Sequence, residues 1–404
     1  MSDVMQGIRV LEVAEHTFVP AASAVLADWG ADVIKVEHAE RGDAMRGLGR
    51  TGVMDLSQKV HALNEHSNRG KRSIGIDIAK PAGREALYAI ARTSDVFLTN
   101  KRPGSLARLG IGVEEIRAQN PKIIYVRGTA FGVRGPDSER GGYDMTGFWC
   151  RGGSADAASI PGAGYIVAQP APGYGDSMGG MTIAGGIAAA LVKRERTGEP
   201  SVVDISLLAA GMWAMSAGIA VSLQQQVPWN SASQAGMGNP LTGTYRTSDE
   251  RFVCFVMLQA FHYWPDFCQH IGREELVGDP RFDSYENLQA NTAVAREIIQ
   301  EEIGKKTLAE WTAHFQTLQG QWTPVQNTLE VAADPQARAN GYMQGAQTKE
   351  GTPFELVATP VQFDEQPSGT ARAPEFNEHG DEILKEAGYE MDQILELKAE
   401  GAVT

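Results

Sequence analysis

Residues 8–37 read IRVLEVAEHTFVPAASAVLADWGADVIKVE, and this stretch decides the fold class. It opens on a short apolar run at 8–14, which is typical of a buried strand. Pro20 then introduces a helical stretch of mainly small apolar residues that Gly30 is placed to end, and a second strand follows at 32–37. A strand, a helix and a strand in this order predict one βαβ unit.

The alternation of strands and helices continues beyond this first unit. Strands are predicted at 73–78, 95–100 and 122–127, and a helix at 81–92. Such alternation is typical of a mostly parallel sheet that is covered by helices. We therefore predict an α/β fold whose large, Rossmann-like domain is built on a parallel sheet, with a smaller α+β domain later in the chain.

The smaller domain is predicted from the segment that begins near residue 242. GTYRTSDERFVCFVML, at 243–258, has the pattern of a β-hairpin with SDE as its turn, and LAEWTAHFQTL, at 308–318, has helical spacing. The polar, irregular stretch at 224–240 is the best boundary. The expected domains are residues 1–224 (the N-terminal part of the large domain), 225–330 (the small domain) and 331–404 (a segment that returns to the large domain).

Length and charge limit the class of protein. A chain of 404 residues exceeds the size at which a single core usually stops growing, which favours two domains. The net charge of −14 weighs against nucleic acid or an anionic membrane as partner. Three cysteines without paired spacing, no export signal and no long apolar run predict a soluble cytoplasmic protein.

The carboxyl ends of the predicted strands are where ligands of such sheets bind. The residues there are largely polar and basic: Glu15, His16, Thr17, Phe18, Glu37, His38, Lys80, Asn100, Lys101 and Arg102. A dinucleotide site is not favoured, although GLGRTG at 47–52 has glycines at suitable spacing. The motif should follow the first strand and open a helix, whereas this copy lies in a polar connection after the second strand.

One carboxylate stands out in the glycine-rich run APGYGDSMGGMTIAGGIAAALVKRERTGEP, residues 171–200. Asp176 is predicted to lie in a loop just ahead of a helix of small residues that ends near Gly198. Glycines at 173, 175, 179 and 180 leave the carboxylate open to a bulky ligand. Two interpretations follow: Asp176 caps the helix, or it is a reactive group.

Other candidate groups are weaker. Cys254, His262, Cys268 and His270 are close in sequence but lack a known zinc-ligand spacing, so no metal is expected. Cys150 has no histidine near it in sequence and is expected to be a small apolar filler. Several cations of this acidic chain form a possible phosphate-binding patch: Lys71, Arg72, Lys80, Lys101, Arg102 and Arg108.

Long blocks of the sequence resemble the class III CoA-transferases, a family that includes formyl-CoA transferase, carnitine CoA-transferase, bile acid CoA-transferase and α-methylacyl-CoA racemase. The resemblance covers nearly the whole chain. It is carried by residues 7–46, NRGKRSIGIDI (68–78), DVFLTNKRPGSLARLGIG (95–112), 120–136, GYDMTGFWCRGG (142–153), 173–208 and HGDEILKEAGYEMDQILELKAEGAV (379–403).

The resemblance implies an acyl-CoA:carboxylate CoA-transferase with acyl-CoA and a carboxylic acid as substrates. Asp176 matches the family's nucleophilic aspartate, which forms an aspartyl anhydride and then an aspartyl-CoA thioester. The resemblance also implies an interlaced homodimer. The implied CoA-binding residues are Thr17, Phe18, His38, Ile76, Lys80, Asn100, Lys101, Arg102, Arg108, Tyr143 and Asp144, with departures from the family pattern at His38, Lys80 and Lys101.

Two alternatives remain open beside the transferase. The first is an acyl-CoA racemase, isomerase or lyase of the same family. The racemases resembled here carry histidine where this chain has Tyr143, and tyrosine, with an unperturbed pKa near ~10, is a poor base near neutrality, which favours the transferase. The second is a CoA-binding protein without catalysis, which has no need of an open carboxylate at Asp176.

Overall fold

A computed structural model describes residues 2–52, 59–234 and 238–404. Within this part of the chain, the fold divides into two compact units. The first comprises residues 1–158, 165–229 and 335–404, and the second comprises residues 159–164 and 230–334. Residues 235–237, inside the predicted boundary segment, lie outside the described residues, and the predicted domain limits stay a prediction.

The first unit is built on a six-stranded parallel sheet in the order β3-β2-β1-β4-β5-β6. Every neighbouring pair runs in the same direction. The strands are β1 (Arg9–Val13), β2 (Asp32–Glu37), β3 (Arg72–Gly75), β4 (Val96–Thr99), β5 (Ile124–Thr129) and β6 (Val202–Ser206). This is the strand order of a doubly wound Rossmann sheet, so the predicted α/β class and parallel sheet are confirmed.

Helices cover both faces of this sheet. Their bounds are α1 (Phe18–Asp28), α2 (Ala62–Asn68), α3 (Pro81–Arg92), α4 (Pro103–Leu109), α5 (Val113–Gln119), α6 (Ser154–Ala158), α7 (Tyr174–Thr197), α8 (Leu207–Ala214) and α9 (Ser216–Gln225). A 3₁₀-helix at Ala44–Thr51 covers the first five residues of the GLGRTG motif, whose last residue, Gly52, is its C-cap, and a π-helix spans Met145–Cys150. The motif thus follows β2, not β1, and does not open an α-helix.

The alternation of side chains along β1 explains the layering. Leu11 and Val13 contribute to an apolar cluster with helices α3 and α5, whereas Val10 belongs to the opposite cluster with α1 and α7. Buried parallel strands need apolar residues on both faces, which is why the strands read as continuous apolar runs. Both faces of the sheet are therefore covered, which leaves the loops at the strand ends as the place for a site.

The last part of the chain returns to the first unit. It contains α16 (Pro335–Ala339), β10 (Met343–Gln347), β11 (Pro353–Val357), α17 (Gly380–Glu386) and α18 (Met391–Ala399), and β10 pairs antiparallel with β11. Helix α17 and the residues before it pack against the outer strand β3. The predicted strand at 73–78 ends early, at Gly75. Beyond it, Ile76 forms an isolated bridge with Val403, and the N–H of Asp77 donates to the carbonyl of Ala402.

The second unit is a small α+β unit. Its antiparallel sheet joins β7 (Thr242–Arg246), β8 (Phe252–Val256) and β9 (Trp322–Pro324), with the predicted hairpin as its first two strands. Its helices are α10 (Ser231–Gln234), α11 (Ala260–His270), α12 (Tyr285–Ala290), α13 (Thr292–Ile303), α14 (Leu308–His314) and α15 (Thr328–Ala333). Short 3₁₀-helices lie at Glu274–Gly278 and Phe315–Thr317. Buried Phe255, Trp264 and Trp311 belong to its core.

Candidate active site

The strand order reverses at β1, because β2 lies on one side of it and β4 on the other. In doubly wound sheets the crevice at this reversal, beyond the carboxyl ends of the strands, is where ligands bind. A cavity of about 640 Å³ lies there and is called the outer cavity below. It is lined by the ends of β1 and β4 and by the segment after β5: Glu15, His16, Asn100, Lys101, Arg102, Ser105, Phe131, Arg140, Gly141, Gly142, Tyr143 and Thr146.

A smaller cavity of about 100 Å³, called the inner cavity, shares eight lining residues with the outer cavity and reaches Asp176. Phe18 and Leu207 contribute apolar surface, and Thr129 and Ser138 contribute hydroxyl groups. A carboxylate, apolar surface and a few polar groups thus face one space beside a larger open cavity. Such a combination is typical of a small-molecule site.

Asp176 is not in a loop, as the sequence predicted, but in the first turn of α7. The helix begins at Tyr174, and its N-cap is Gly173, which adopts the left-handed conformation with φ +69°. The N-cap makes no side-chain hydrogen bond, so Asp176 does not cap the helix. The loop prediction was wrong because left-handed Gly173, and not Asp176, is the N-cap, so the helix begins three residues earlier than predicted.

Burial is the main cause of an unusual charge state at Asp176. Burial raises its pKa to about 8, and the nearby carboxylate of Asp144 adds to the effect. A carboxyl group whose pKa is perturbed in this direction and that lines a cavity is a functional-site candidate. Near pH 7 the raised pKa favours the neutral acid over the carboxylate.

The glycines around Asp176 serve packing more than access. A Cβ atom on Gly175 would lie 2.5 Å from the ring of Phe148, and one on Gly179 would lie 2.3 Å from the ring of Phe18. A Cβ atom on Gly180 would lie 2.8 Å from Ala21. The glycines therefore let α7 pack closely against α1, and this packing brings Asp176 to the inner wall of the cavity.

Tyr143 and Asp144 approach the site from the segment after β5. Tyr143 is largely exposed and lines both cavities, and its ring meets that of His16 edge-on at 5.5 Å between centroids. Asp144 is buried and begins the π-helix, and its Oδ2 accepts a hydrogen bond of 3.0 Å from Gln169. π-Helical turns often occur at functional sites. Here the π-helix has the carboxylate of Asp144 at its N-cap, near enough to Asp176 to raise the pKa of that residue.

His16 is fixed in a strained backbone conformation at the end of β1. Its φ is +67°, which is uncommon for a residue other than glycine, and its N–H donates to Asp43 at 3.0 Å. Asp43 is itself paired with buried Lys35, whose ammonium also binds Glu12, each at 2.7 Å. Burial alone would raise the pKa of Asp43, but Lys35 overcomes this and holds the pKa below its usual range.

The predicted CoA-binding residues divide into three groups. Phe18, Asn100, Lys101, Arg102 and Tyr143 line the outer or inner cavity. A third cavity of about 320 Å³ lies near the ends of β2 and β3 and shares Glu15, Lys101 and Ser105 with the outer cavity. His38, Ile76, Lys101 and Arg108 line this third cavity. The shared residues make the two spaces neighbours along one side of the sheet.

Thr17, Lys80 and Asp144 line none of these three cavities. Thr17 is buried at the start of α1, beside Gly173. The ammonium of Lys80 donates to the carbonyls of Glu400 at 2.7 Å and Gly401 at 3.1 Å, which ties the side chain to the end of α18. Lys101 pairs with Glu15 at 3.0 Å in the wall that the outer and third cavities share.

Sequence reasoning missed several wall residues. Arg140 lines both the outer and inner cavities and has an exposed side chain, and the neighbouring glycines at 141 and 142 let the chain pass close to the site. Thr129, Ser138 and Leu207 line the inner cavity. The position of Thr129 at the carboxyl end of β5 was a usable signal, whereas the contributions of Ser138 and Leu207 depend on tertiary packing.

The weaker cysteine and histidine candidates line none of the three cavities. Cys254 and Cys268 belong to the second unit; Cys268 is buried in its core, and burial raises the pKa of this thiol to about 12. Cys150 ends the π-helix with an exposed side chain. In residues 2–52, 59–234 and 238–404, no three His, Cys, Asp or Glu side chains are grouped so that they could hold a metal ion.

Comparison with known proteins identifies the family of the chain. The family model described as "CoA-transferase family III" matches residues 5–380. The chain belongs to CoA-transferase family III. Structurally, a CaiB/BaiF family protein from Brucella suis superposes with a TM-score of 0.81 at 28% identity, over 96% of this chain and 100% of that protein. The family thus accounts for both the sheet order and the sequence blocks.

Two curated relatives of this family III chain have named activities. It is 29% identical, over 98% of both chains, to (R)-2-hydroxy-4-methylpentanoate CoA-transferase from Clostridioides difficile. It is 31% identical, over 98% of this chain and 96% of the relative, to cinnamoyl-CoA:phenyllactate CoA-transferase from Clostridium sporogenes. The chain is therefore an enzyme of the CoA-transferase class. None of its described helices is alone long and apolar enough to cross a membrane; α8 and α9 reach that length and apolarity only as a pair, bent by 68°.

Proposed function

We propose that this enzyme moves CoA between an acyl-CoA and a free carboxylic acid, with Asp176 as the covalent nucleophile. The observation that carries the proposal is the position of Asp176: its carboxyl group lines the inner cavity, and burial raises its pKa to about 8. A structural carboxylate gains nothing from such a place, because its charge is neither paired nor well solvated. A nucleophile gains both reactivity and access.

The chemistry divides one difficult exchange into four steps. The carboxylate of Asp176 attacks the thioester carbonyl, and CoA thiolate leaves as a mixed anhydride forms. The thiolate then attacks the aspartyl carbonyl, which releases the first acid and leaves an aspartyl-CoA thioester. The second acid attacks this thioester to give a new anhydride and thiolate, and the thiolate takes the new acyl group and frees Asp176.

The surroundings of Asp176 suit these steps. Poor solvation makes the carboxylate more basic and saves the cost of removing its water when it attacks. In the first turn of α7 the N–H of Tyr174 donates to Ala171, whereas those of Gly175 and Asp176 have no preceding helical turn to bond to and can stabilise the oxyanion of each tetrahedral intermediate. The outer cavity, with Lys101, Arg102 and Arg140 in its wall, offers cations to an anionic cosubstrate.

The names of the relatives indicate the acids to test first. The acids named in both, 2-hydroxy-4-methylpentanoate and phenyllactate, are monocarboxylic acids with a hydroxyl group beside the carboxylate and an apolar side chain. The inner cavity combines hydroxyl groups of Thr129 and Ser138 with the apolar surface of Phe18 and Leu207. We therefore propose a bulky 2-hydroxy acid as one substrate class.

The test is exchange between an acyl-CoA and these acids, followed by mass spectrometry of products and protein. We predict a new CoA ester and a covalent adduct on Asp176. Asp176→Ala should lower the rate by at least about 10⁴-fold, since it removes the nucleophile, while CoA binding stays within a few-fold. The exposed control variant Asp156→Ala should exchange at the parent rate. Normal turnover by Asp176→Ala would refute the assignment.

The same experiment separates the alternatives. A racemase or isomerase changes one CoA ester without exchange between acids, and a CoA-binding protein without catalysis gives neither exchange nor adduct. The racemase is disfavoured because this chain has Tyr143 before Asp144, and a tyrosine is a poor base near neutral pH. Tyr143 is largely exposed, and its described aromatic contact is with the ring of His16.

A further inference from the structure

The helical turn that carries Asp176 is tied to α2 by a hydrogen bond outside the cavities. His66, on α2, places Nε2 3.1 Å from the hydroxyl oxygen of Ser177, the residue next to Asp176. The Ser177 hydroxyl is in turn 2.9 Å from the carbonyl of Gly173. A carbonyl only accepts, so the hydroxyl must donate to Gly173, and its lone pair is left to accept from His66. The chain of donors therefore runs from His66 through Ser177 to Gly173.

The protonation state of His66 fits this direction. Burial lowers its pKa to about 4, and the cations of Arg69 and Lys71 act in the same sense. The imidazole is therefore neutral near pH 7, and a neutral ring has one N–H to donate. The hydrogen bond to Ser177 selects the tautomer with that proton on Nε2.

The hydrogen bonds from His66 through Ser177 end at Gly173, where they can fix the start of α7. Gly173 is the left-handed N-cap of α7, and its carbonyl accepts from both the N–H (2.8 Å) and the hydroxyl of Ser177. Glycine has the least restricted backbone, so this position needs outside contacts to hold one conformation. Asp176 lies between the two residues that are joined, and its placement follows from theirs.

We propose that His66 and Ser177 form a positioning pair that fixes the first turn of α7 and so holds Asp176 at attacking distance from the thioester. Neither side chain lines the outer or the inner cavity, so we argue that both act through the backbone of this turn. The inference rests on the proposed role of Asp176 as nucleophile. Misplacement of a reacting group by about 1 Å can cost about 100-fold in rate, which makes such a pair worthwhile.

The test compares single and double variants in steady-state exchange. His66→Leu and Ser177→Ala should each lower kcat at least about tenfold, with KM for acyl-CoA within about threefold, because the nucleophile is misplaced and the outer cavity is untouched. The double variant should be no slower than the slower single variant, since the two residues act as one unit. His66→Gln, whose amide N–H can replace Nε2–H, should restore most of the rate.

Controls distinguish this inference from general damage to the helix. Thr182 lies on the same helix, and its hydroxyl donates in the same way to the carbonyl of Met178 at 2.9 Å. Thr182→Ala should therefore keep the parent kcat. Parent-like kcat in His66→Leu, additive losses in the double variant, or no rescue by His66→Gln would each overturn the pair. Absence of exchange or of an Asp176 adduct in the parent enzyme would instead overturn the proposed function.

Discussion

At the scale of the residue, two opposing influences act on the charge of Asp176. The first turn of α7 presents the positive end of the helix dipole, which favours the carboxylate. Burial and the carboxylate of Asp144 favour the neutral acid, and they prevail, because the pKa is raised to about 8. The ionised carboxylate of Asp176 thus lowers the free energy of unfolding, and this loss of stability can be measured.

We predict that Asp176→Asn stabilises the protein, and that the gain grows with pH. A carboxyl group with a higher pKa in the folded state than in the unfolded chain (about 3.9) destabilises the fold increasingly as the pH rises from ~4 to about 8. The neutral amide removes this cost. We expect a gain in the free energy of unfolding of roughly 1–3 kcal/mol above pH 8, less than the full shift implies because water in the cavity screens the charge, and almost none near pH 4.

Urea unfolding at pH 4.5 and pH 8.5 measures this gain. Glu297→Gln, which neutralises an exposed carboxylate on α13 in the second unit, is the control and should change stability equally little at both pH values. A gain for Asp176→Asn that is the same at both pH values would contradict a raised pKa of Asp176 in the folded protein.

At the scale of the element, α7 is the helix that places the reactive group. Its glycines at 179 and 180 remove the side chains that would otherwise keep α1 at a distance. Phe18, against which Gly179 packs, is both a buried residue of α1 and a wall residue of the inner cavity. A change in the packing between α1 and α7 therefore also changes the shape of the inner cavity.

We predict that Gly179→Ala impairs both stability and substrate binding. The new Cβ atom would lie 2.3 Å from the Phe18 ring, so the ring or the helix must move. We expect a loss of about 1–3 kcal/mol in the free energy of unfolding and a several-fold rise in KM for acyl-CoA. The matched control is Gly185→Ala on the same helix, where no atom lies within 4 Å of the new Cβ and a gain of about 0.5–1 kcal/mol is expected. Equal effects of the two substitutions on stability, measured by thermal unfolding, would refute the packing role.

The elements also show what sequence patterns can and cannot give. β1, β2 and β4 follow from continuous apolar runs, and their ends predicted Glu15, Asn100 and other wall residues, because buried parallel strands leave little freedom of pattern. The early end of β3 and the start of α7 were not predictable. Both depend on contacts between segments far apart in sequence, such as that between Ile76 and Val403.

At the scale of the whole molecule, exposed apolar side chains bear on the homodimer that the family resemblance implies, because they mark surface that a partner can cover. Met212, Trp213 and Leu223, on α8 and α9, are 47%, 78% and 68% exposed in the single chain. Exposed apolar residues in such concentration are typical of a surface that is covered by a partner. We propose that a second copy of this chain covers them.

We predict that the protein in solution has twice the chain mass of 43.5 kDa. Interlaced subunits cannot separate while folded, so the midpoint of urea unfolding should rise with protein concentration. Light scattering measures the mass, and unfolding at two concentrations measures the coupling. A monomer at micromolar concentration, or a midpoint independent of concentration, would contradict the dimer.

The measurement that tests the central role of Asp176 most directly follows oxygen. If the second acid carries ¹⁸O in both carboxylate oxygens, a single turnover through the two anhydrides leaves one labelled oxygen on Asp176, which adds about 2 Da to its peptide, and repeated turnovers replace the second oxygen and raise the gain towards about 4 Da. We predict this gain in peptides that contain Asp176, and none elsewhere in the chain. Continued exchange of CoA between acids while the oxygens of Asp176 stay unlabelled would contradict covalent catalysis by this residue.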